Sequence, residues 1–148
     1  MSTIPRPAEV AENLAVILMV HGTPAPQGSK RPVRLGSGRI GLVESSDKVK
    51  PWRDAVRAAG LKAFRRPFTG PVAVTLNFYL RRPSSIPARI THPGKYPDLD
   101  KLCRSTLDGL KTGGAYLDDG QVVTLATSKE FGEPGCLISV RELAGVIR

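Results

Sequence analysis

The stretch Pro71–Leu80, PVAVTLNFYL, places Val72, Val74, Leu76 and Phe78 at a strict period of two, and its β-branched and aromatic residues predict a core strand. It stands between two segments of helical period. Trp52, Ala55, Val56, Ala59 and Ala63 recur at spacings of three and four, with Pro51 suited to a first helical turn, and predict a helix over 50–64. Leu99, Leu102, Cys103, Thr106, Leu107 and Leu110 mark a second helix that ends near the Thr-Gly-Gly at 112–114. The run from Leu14 to His21 reads as a buried strand closed by Gly-Thr-Pro-Ala-Pro. Two further strands are expected over 121–129 and 135–141, joined through EFGEPG, together with a hairpin about 36–38 whose second strand is 39–43. This pattern predicts an α+β fold, a mixed β-sheet with two main helices.

A length of 148 residues fits one domain with its own core. Residues 1–12, MSTIPRPAEVAE, are polar and without period, so a flexible N-terminal tail is expected there and the folded domain over 13–148. No apolar run approaches the length of a membrane span. Leu14–Val20 is preceded by Glu9 and Glu12 and followed by no convincing cleavage site, which argues against a signal peptide. Cys103 and Cys136 are too few and too far apart for a disulfide framework or a zinc ribbon, which points to a reducing cytoplasm.

The balance of 22 Lys and Arg against 13 Asp and Glu gives a formal net charge of +9. Such a charge favours polyanions through counterion release, and nucleic acid is the leading partner class. The segment 81–97, RRPSSIPARITHPGKYP, carries four prolines and no period, so it reads as a long exposed loop presenting Arg81, Arg82, Arg89 and Lys95. Lys30, Arg31 and Arg34 lie in an earlier glycine-punctuated basic segment. These seven cations are the expected contacts to a nucleic-acid backbone, contacts that position a duplex without reading its bases.

Against that background, the acids of KYPDLDKLCRSTLDGL stand out. Asp98 and Asp100 flank the start of the second helix. Residues two apart on a helix do not share a face, so both converge on one point only if the first lies before the helix and the second at its cap. Either could equally be an N-cap. Asp118 and Asp119 precede a strand, where Asp-Gly is a common turn signal. Taken together, carboxylates at a helix entrance and a strand entrance make an oxygen-rich seat for Mg²⁺, the hard cation used in phosphodiester hydrolysis, and a basic protein gains from a cation that lets acids stand beside a polyanion. Arg104, one turn beyond Asp100, is a candidate to hold phosphate or neutralise developing charge, with Lys101 and Lys111 flanking and Asp108 a further turn on. The competing view of this helix is a solvated face with i,i+4 ion pairs. His21 and His92 show no partner pattern for zinc or a general base; Trp52 and Cys103 read as core residues.

The segment PDLDKLCRSTLDGLKTGGAYLDDGQVV, Pro97–Val123, resembles the signature of the RusA-type Holliday junction resolvases: Asp-Leu-Asp at a helix entrance, an internal Leu-Asp-Gly-Leu or Leu-Asp-Ala-Leu, then a double aspartate before Gln-Val-Val. GTPAPQGSKRP and KVKPWRDAVRAA extend the likeness more weakly toward the N-terminus. The resemblance implies a RusA-like fold and a Mg²⁺-dependent homodimeric endonuclease, with Mn²⁺ a substitute, acting on branched DNA and four-way junctions and commonly phage-encoded. It also implies Asp98, Asp100 and Asp119 as essential metal ligands, with Asp118 a metal helper or a turn former. Arg104 takes the place of a functional lysine, and Lys101 that of an asparagine. The exchange at 104 keeps the charge for phosphate binding and removes a group suited to proton transfer. The rivals are a non-catalytic basic nucleic-acid-binding protein and a flap or fork nuclease of the same chemistry.

Overall fold

A computed structural model of the chain describes residues 15–28, 30–44 and 47–148. The tail expected over 1–12 and the side chains of Lys30 and Arg31 lie outside the described part. The elements run β1 (Ala15–His21), β2 (Lys30–Arg34), β3 (Ile40–Glu44), α1 (Val49–Ala63), β4 (Val72–Leu80), α2 (Leu99–Thr112), β5 (Val122–Phe131) and β6 (Gly135–Glu142). Four strands form one mixed sheet in the order β1-β6-β4-β5, and β2 pairs with β3 as a separate hairpin. Only β4 and β5 are parallel; β6 runs antiparallel to both β4 and β1.

The alternation of β4 fixes which side of the sheet is the core. Val72, Val74, Leu76 and Phe78 are all buried, as are Cys136, Ile138 and Val140 on neighbouring β6. Both helices cover this side, and Trp52, Val56, Leu102 and Leu110 complete the core. Trp52 on α1 donates its indole N–H to Thr106 Oγ1 on α2 at 3.0 Å, so the largest buried side chain also has its polar atom satisfied. The helices cross closely because Gly109 faces Val56: a Cβ at Gly109 would stand 2.8 Å from the Cβ of Val56. The small residue inside Leu-Asp-Gly-Leu thus has a packing cause.

Two sequence expectations need correction. The strand from Leu14 was expected to be buried, yet β1 is an edge strand with one covered face. Leu18 and Val20 are buried, whereas Ile17 is 68% and Met19 37% exposed. A continuous apolar run usually marks a strand covered on both sides, but here the helices lie on one side, so among the described residues nothing packs over the outward apolar residues of β1. The second concerns Asp118-Asp119-Gly120, whose Asp-Gly was weighed as a hairpin signal. Residues 119–121 form a 3-10 turn that feeds β5 instead.

Strands β5 and β6 are sequential and antiparallel, yet β4 lies between them. Residues 132–134 therefore step across two strand spacings, roughly 10 Å. Gly132 N–H donates to Leu80 O at 2.9 Å as the chain passes the end of β4.

The long loop 81–97 is tied down at both ends. Arg82 donates to the carbonyls of Ile90 at 2.7 Å and Pro87 at 2.5 Å, and its guanidinium lies 4.9 Å from the centroid of the Phe131 ring. Lys129 on β5 donates from Nζ to the carbonyls of Lys95 at 2.9 Å and Pro97 at 3.0 Å. The Tyr96–Pro97 peptide is cis. The loop thereby delivers the chain to the start of α2.

Candidate active site

Asp98 occupies the N-cap position of α2, with extended dihedrals (φ −70°, ψ 137°) and its backbone carbonyl accepting from Leu102 N–H at 3.0 Å. Its side chain makes no capping hydrogen bond. The carboxylate is exposed and lies 4.0 Å from Lys101 Nζ. Asp100 sits in the first helical turn and is exposed. The two acids therefore share one end of α2, with Asp98 at the cap and Asp100 inside the helix.

The second pair is used differently. Asp118 Oδ1 accepts from Gly120 N–H at 3.2 Å, and Gln121 Oε1 accepts from the N–H groups of Leu117 and Asp118 at 2.8 and 2.9 Å. Gln121, itself buried, also donates from Nε2 to the carbonyls of Phe68 at 2.7 Å and Gly70 at 3.0 Å. This capping box gives Asp118 a turn-forming role. Asp119 points out of the turn, with Lys111 Nζ 3.8 Å from its carboxylate.

Among the described residues no three Asp, Glu, His or Cys side chains stand close enough to hold one metal ion. Asp119 stands beside Lys111 and shares a cleft with Arg104, Leu107 and Asp108, further along α2 than the helix entrance. The donor chemistry at the helix entrance still fits Mg²⁺, which needs one or two carboxylates and fills its other positions with waters and substrate phosphate.

Arg104 joins the two ends. Exposed on α2, it lines a cleft of about 280 Å³ together with Leu107, Asp108, Tyr116, Asp119 and Val122. Its guanidinium also lies over the chain at Gly28, where φ is +109° and a Cβ would come within 3.0 Å of Arg104 Nη1. The positive φ favours glycine there, and a side chain would push the Arg104 guanidinium aside.

Gln27 holds that crossing in place. Its backbone N–H donates to Lys101 O at 3.0 Å, its Nε2 donates to Asp108 Oδ2 at 2.6 Å, and its Oε1 accepts from Arg53 Nη1 at 2.8 Å. Asp108 is therefore engaged in a three-residue polar bridge between α1 and α2. Tyr116 donates its hydroxyl to Leu107 O at 2.7 Å; burial first, then the charges of Asp119 and Asp108, holds its pKa well above the usual tyrosine value, so it stays protonated at neutral pH. Burial likewise pushes both thiols up, Cys103 and Cys136, which fits core residues and not nucleophiles.

Of the expected backbone contacts, Arg34, Arg81, Arg89 and Lys95 are exposed. Arg82 is exposed too, but two of its guanidinium N–H groups serve the loop carbonyls. His92 is exposed, with Nδ1 2.8 Å from Thr91 Oγ1. Sequence reasoning gave no role to Lys129, Arg53 or Tyr96. The first two act through contacts remote in sequence, while Tyr96 carried a visible signal as a lone aromatic in a basic loop beside Asp98.

No curated protein matches the chain. The family model described as Endodeoxyribonuclease RusA matches residues 21–141, from the last residue of β1 to the penultimate residue of β6, and takes in α2 with both acid pairs. A chain matched over that span, with its acids at the α2 entrance and its basic loops beside them, belongs to the RusA family of endodeoxyribonucleases.

Proposed function

We propose that this protein is a Mg²⁺-dependent endonuclease that nicks branched DNA, four-way junctions above all, in recombination and repair. It works as a homodimer in the cytoplasm of a bacterium, or of the host where a phage encodes it, and accepts Mn²⁺ in place of Mg²⁺. The observation that carries the reading is Asp98. An N-cap aspartate normally stabilises its helix by about 1 kcal/mol through a bond to the first-turn N–H groups, and this one leaves that bond unmade and presents its carboxylate to solvent beside Asp100.

Asp98 and Asp100 are the residues that hold the metal, which when bound would polarise the phosphate and supply an activated water. Arg104 takes a phosphate oxygen and offsets the charge that develops there, a task for which its planar fork suits a bidentate grip. Asp119 lies across the Arg104 cleft and orients that guanidinium or joins the seat when DNA is bound. Lys101 beside Asp98 and the exposed cations Arg34, Arg81, Arg89 and Lys95 draw the duplex arms in.

The test is a labelled four-way junction incubated with the protein in Mg²⁺ and then in EDTA. Nicks are expected in Mg²⁺ alone, and Asp98→Asn and Asp100→Asn should bind the junction without nicking it. Retained binding with no nicks from the wild type in Mg²⁺ identifies the non-catalytic module. Faster cutting of forks or flaps than of junctions moves the substrate while keeping the chemistry.

A further inference from the structure

A second cavity, distinct from the Arg104 cleft, opens beneath the 81–97 loop. It measures about 560 Å³ and its walls are largely apolar, with Pro24, Pro83, Ile86, Pro87, Ile90 and Phe131 among them. Its rim is basic: Lys48, Arg81, Arg89 and Lys95 all border it. The loop that roofs it is fixed by Arg82 on one side and Lys129 on the other, so the space is formed before anything enters. Tyr96, a residue 71% exposed, lines it, and Pro97, the residue bonded to Asp98, forms part of the wall.

An apolar hollow ringed by cations has the charge pattern of a nucleotide turned inside out: a flat, weakly polar ring system for the interior and phosphates for the rim. The volume lies within the roughly 300–1,000 Å³ of clefts that enclose small ligands. That suits one or two bases and excludes a duplex. An exposed tyrosine supplies the stacking face that proteins use for unpaired bases. Taking a base out of the stack costs least where pairing is already broken, and a branch point is such a place.

We propose that the cavity beneath the 81–97 loop binds a nucleobase unstacked at the branch point, with Tyr96 as its stacking face and Arg81, Arg89 and Lys95 on the flanking phosphates. The proposal rests on the branched-DNA reading above and deepens it: the captured base sets which phosphate reaches Asp98 and Asp100, and so gives the enzyme a sequence preference that backbone contacts alone cannot supply.

The experiment measures junction binding in EDTA while a single abasic residue is walked through the nucleotides flanking the branch point. An abasic residue at the captured position should weaken wild-type binding about ten-fold, in keeping with one lost base stack. Tyr96→Ala should show a similar loss on the intact junction and no further loss on that abasic junction, and Tyr96→Phe should bind as the wild type does. Because Tyr96 is exposed, thermal melting of Tyr96→Ala checks that the fold is retained. A flat abasic scan, or losses from Tyr96→Ala and the abasic residue that add, overturns the proposal. If the wild type still nicks junctions in Mg²⁺ in that case, the proposed function stands without it. A wild type that binds no branched DNA overturns both.

Discussion

Asp98 and Asp118 are the same residue type at the same kind of position, the residue before a helical turn, and they are put to different uses. Asp118 completes a capping box with Gln121, whereas Asp98 caps nothing. Asp118→Ala should therefore lower stability by about 1 kcal/mol, the usual value of an N-cap. Asp98→Ala forfeits the attraction of an exposed charge to the helix dipole and a loose, exposed ion pair with Lys101, together a few tenths of a kcal/mol once salt screens them, yet it should abolish nicking. Urea unfolding and the junction assay, run on both variants, give the contrast directly. If Asp98→Ala unfolds as readily as Asp118→Ala and still nicks, the stabilising and the chemical aspartates have been assigned the wrong way round.

The helices were legible in the sequence to within a residue or two, 50–64 against Val49–Ala63 and an end near 112–114 against Leu99–Thr112, because their signals are local: an apolar period, a proline at the start, glycines at the end. The sheet order was not. Nothing in EFGEPG says that β4 lies between β5 and β6, since strand neighbours are chosen by long-range pairing. The same limit applies to the site. The entrance acids Asp98 and Asp100 could be read from their spacing, but where Asp119 stands relative to α2 depends on how β5 packs against that helix, and Gln27, Arg53 and Lys129 act through partners far along the chain. Gly109 is the element-scale feature that the sequence showed without its reason. Gly109→Ala sets a Cβ 2.8 Å from the Cβ of Val56 and 3.1 Å from the Arg53 carbonyl oxygen and should destabilise the protein despite alanine's better helix propensity. Val56→Ala keeps its own Cβ and the Arg53 carbonyl, so it should not restore the loss. A Gly109→Ala protein as stable as the wild type in chemical denaturation would show that the helices do not meet there as described.

Among the described residues one sheet face is covered by helices and the other is not, and the open face is the place to look for a second copy. Its rows follow from the register: Ile17 beside Ser139 and Thr75, Met19 beside Leu137 and Asn77. Ile17, Met19 and Leu137 are 68%, 37% and 37% exposed, an apolar group on a face that also carries Arg141, Tyr79 and Glu130. Burying that surface stabilises an association by roughly 25 cal/mol per Å² of apolar area, and two-fold closure is the usual outcome when a surface meets its own copy. The junction gives a functional reason: it has approximate two-fold symmetry and needs two nicks, whereas each chain carries one α2 entrance with its pair of acids. The expected result is a dimer in sedimentation equilibrium at micromolar concentration. Ile17→Lys, or Leu137→Lys, should yield a monomer with an unchanged far-ultraviolet spectrum, because both side chains are exposed within the single chain. On a supercoiled cruciform plasmid the wild type should release linear product from paired nicks, and the monomeric variants nicked circles. A wild-type protein that stays monomeric on the junction and releases only nicked circles would remove the dimer and favour a nuclease of flaps or forks, for which one site is enough.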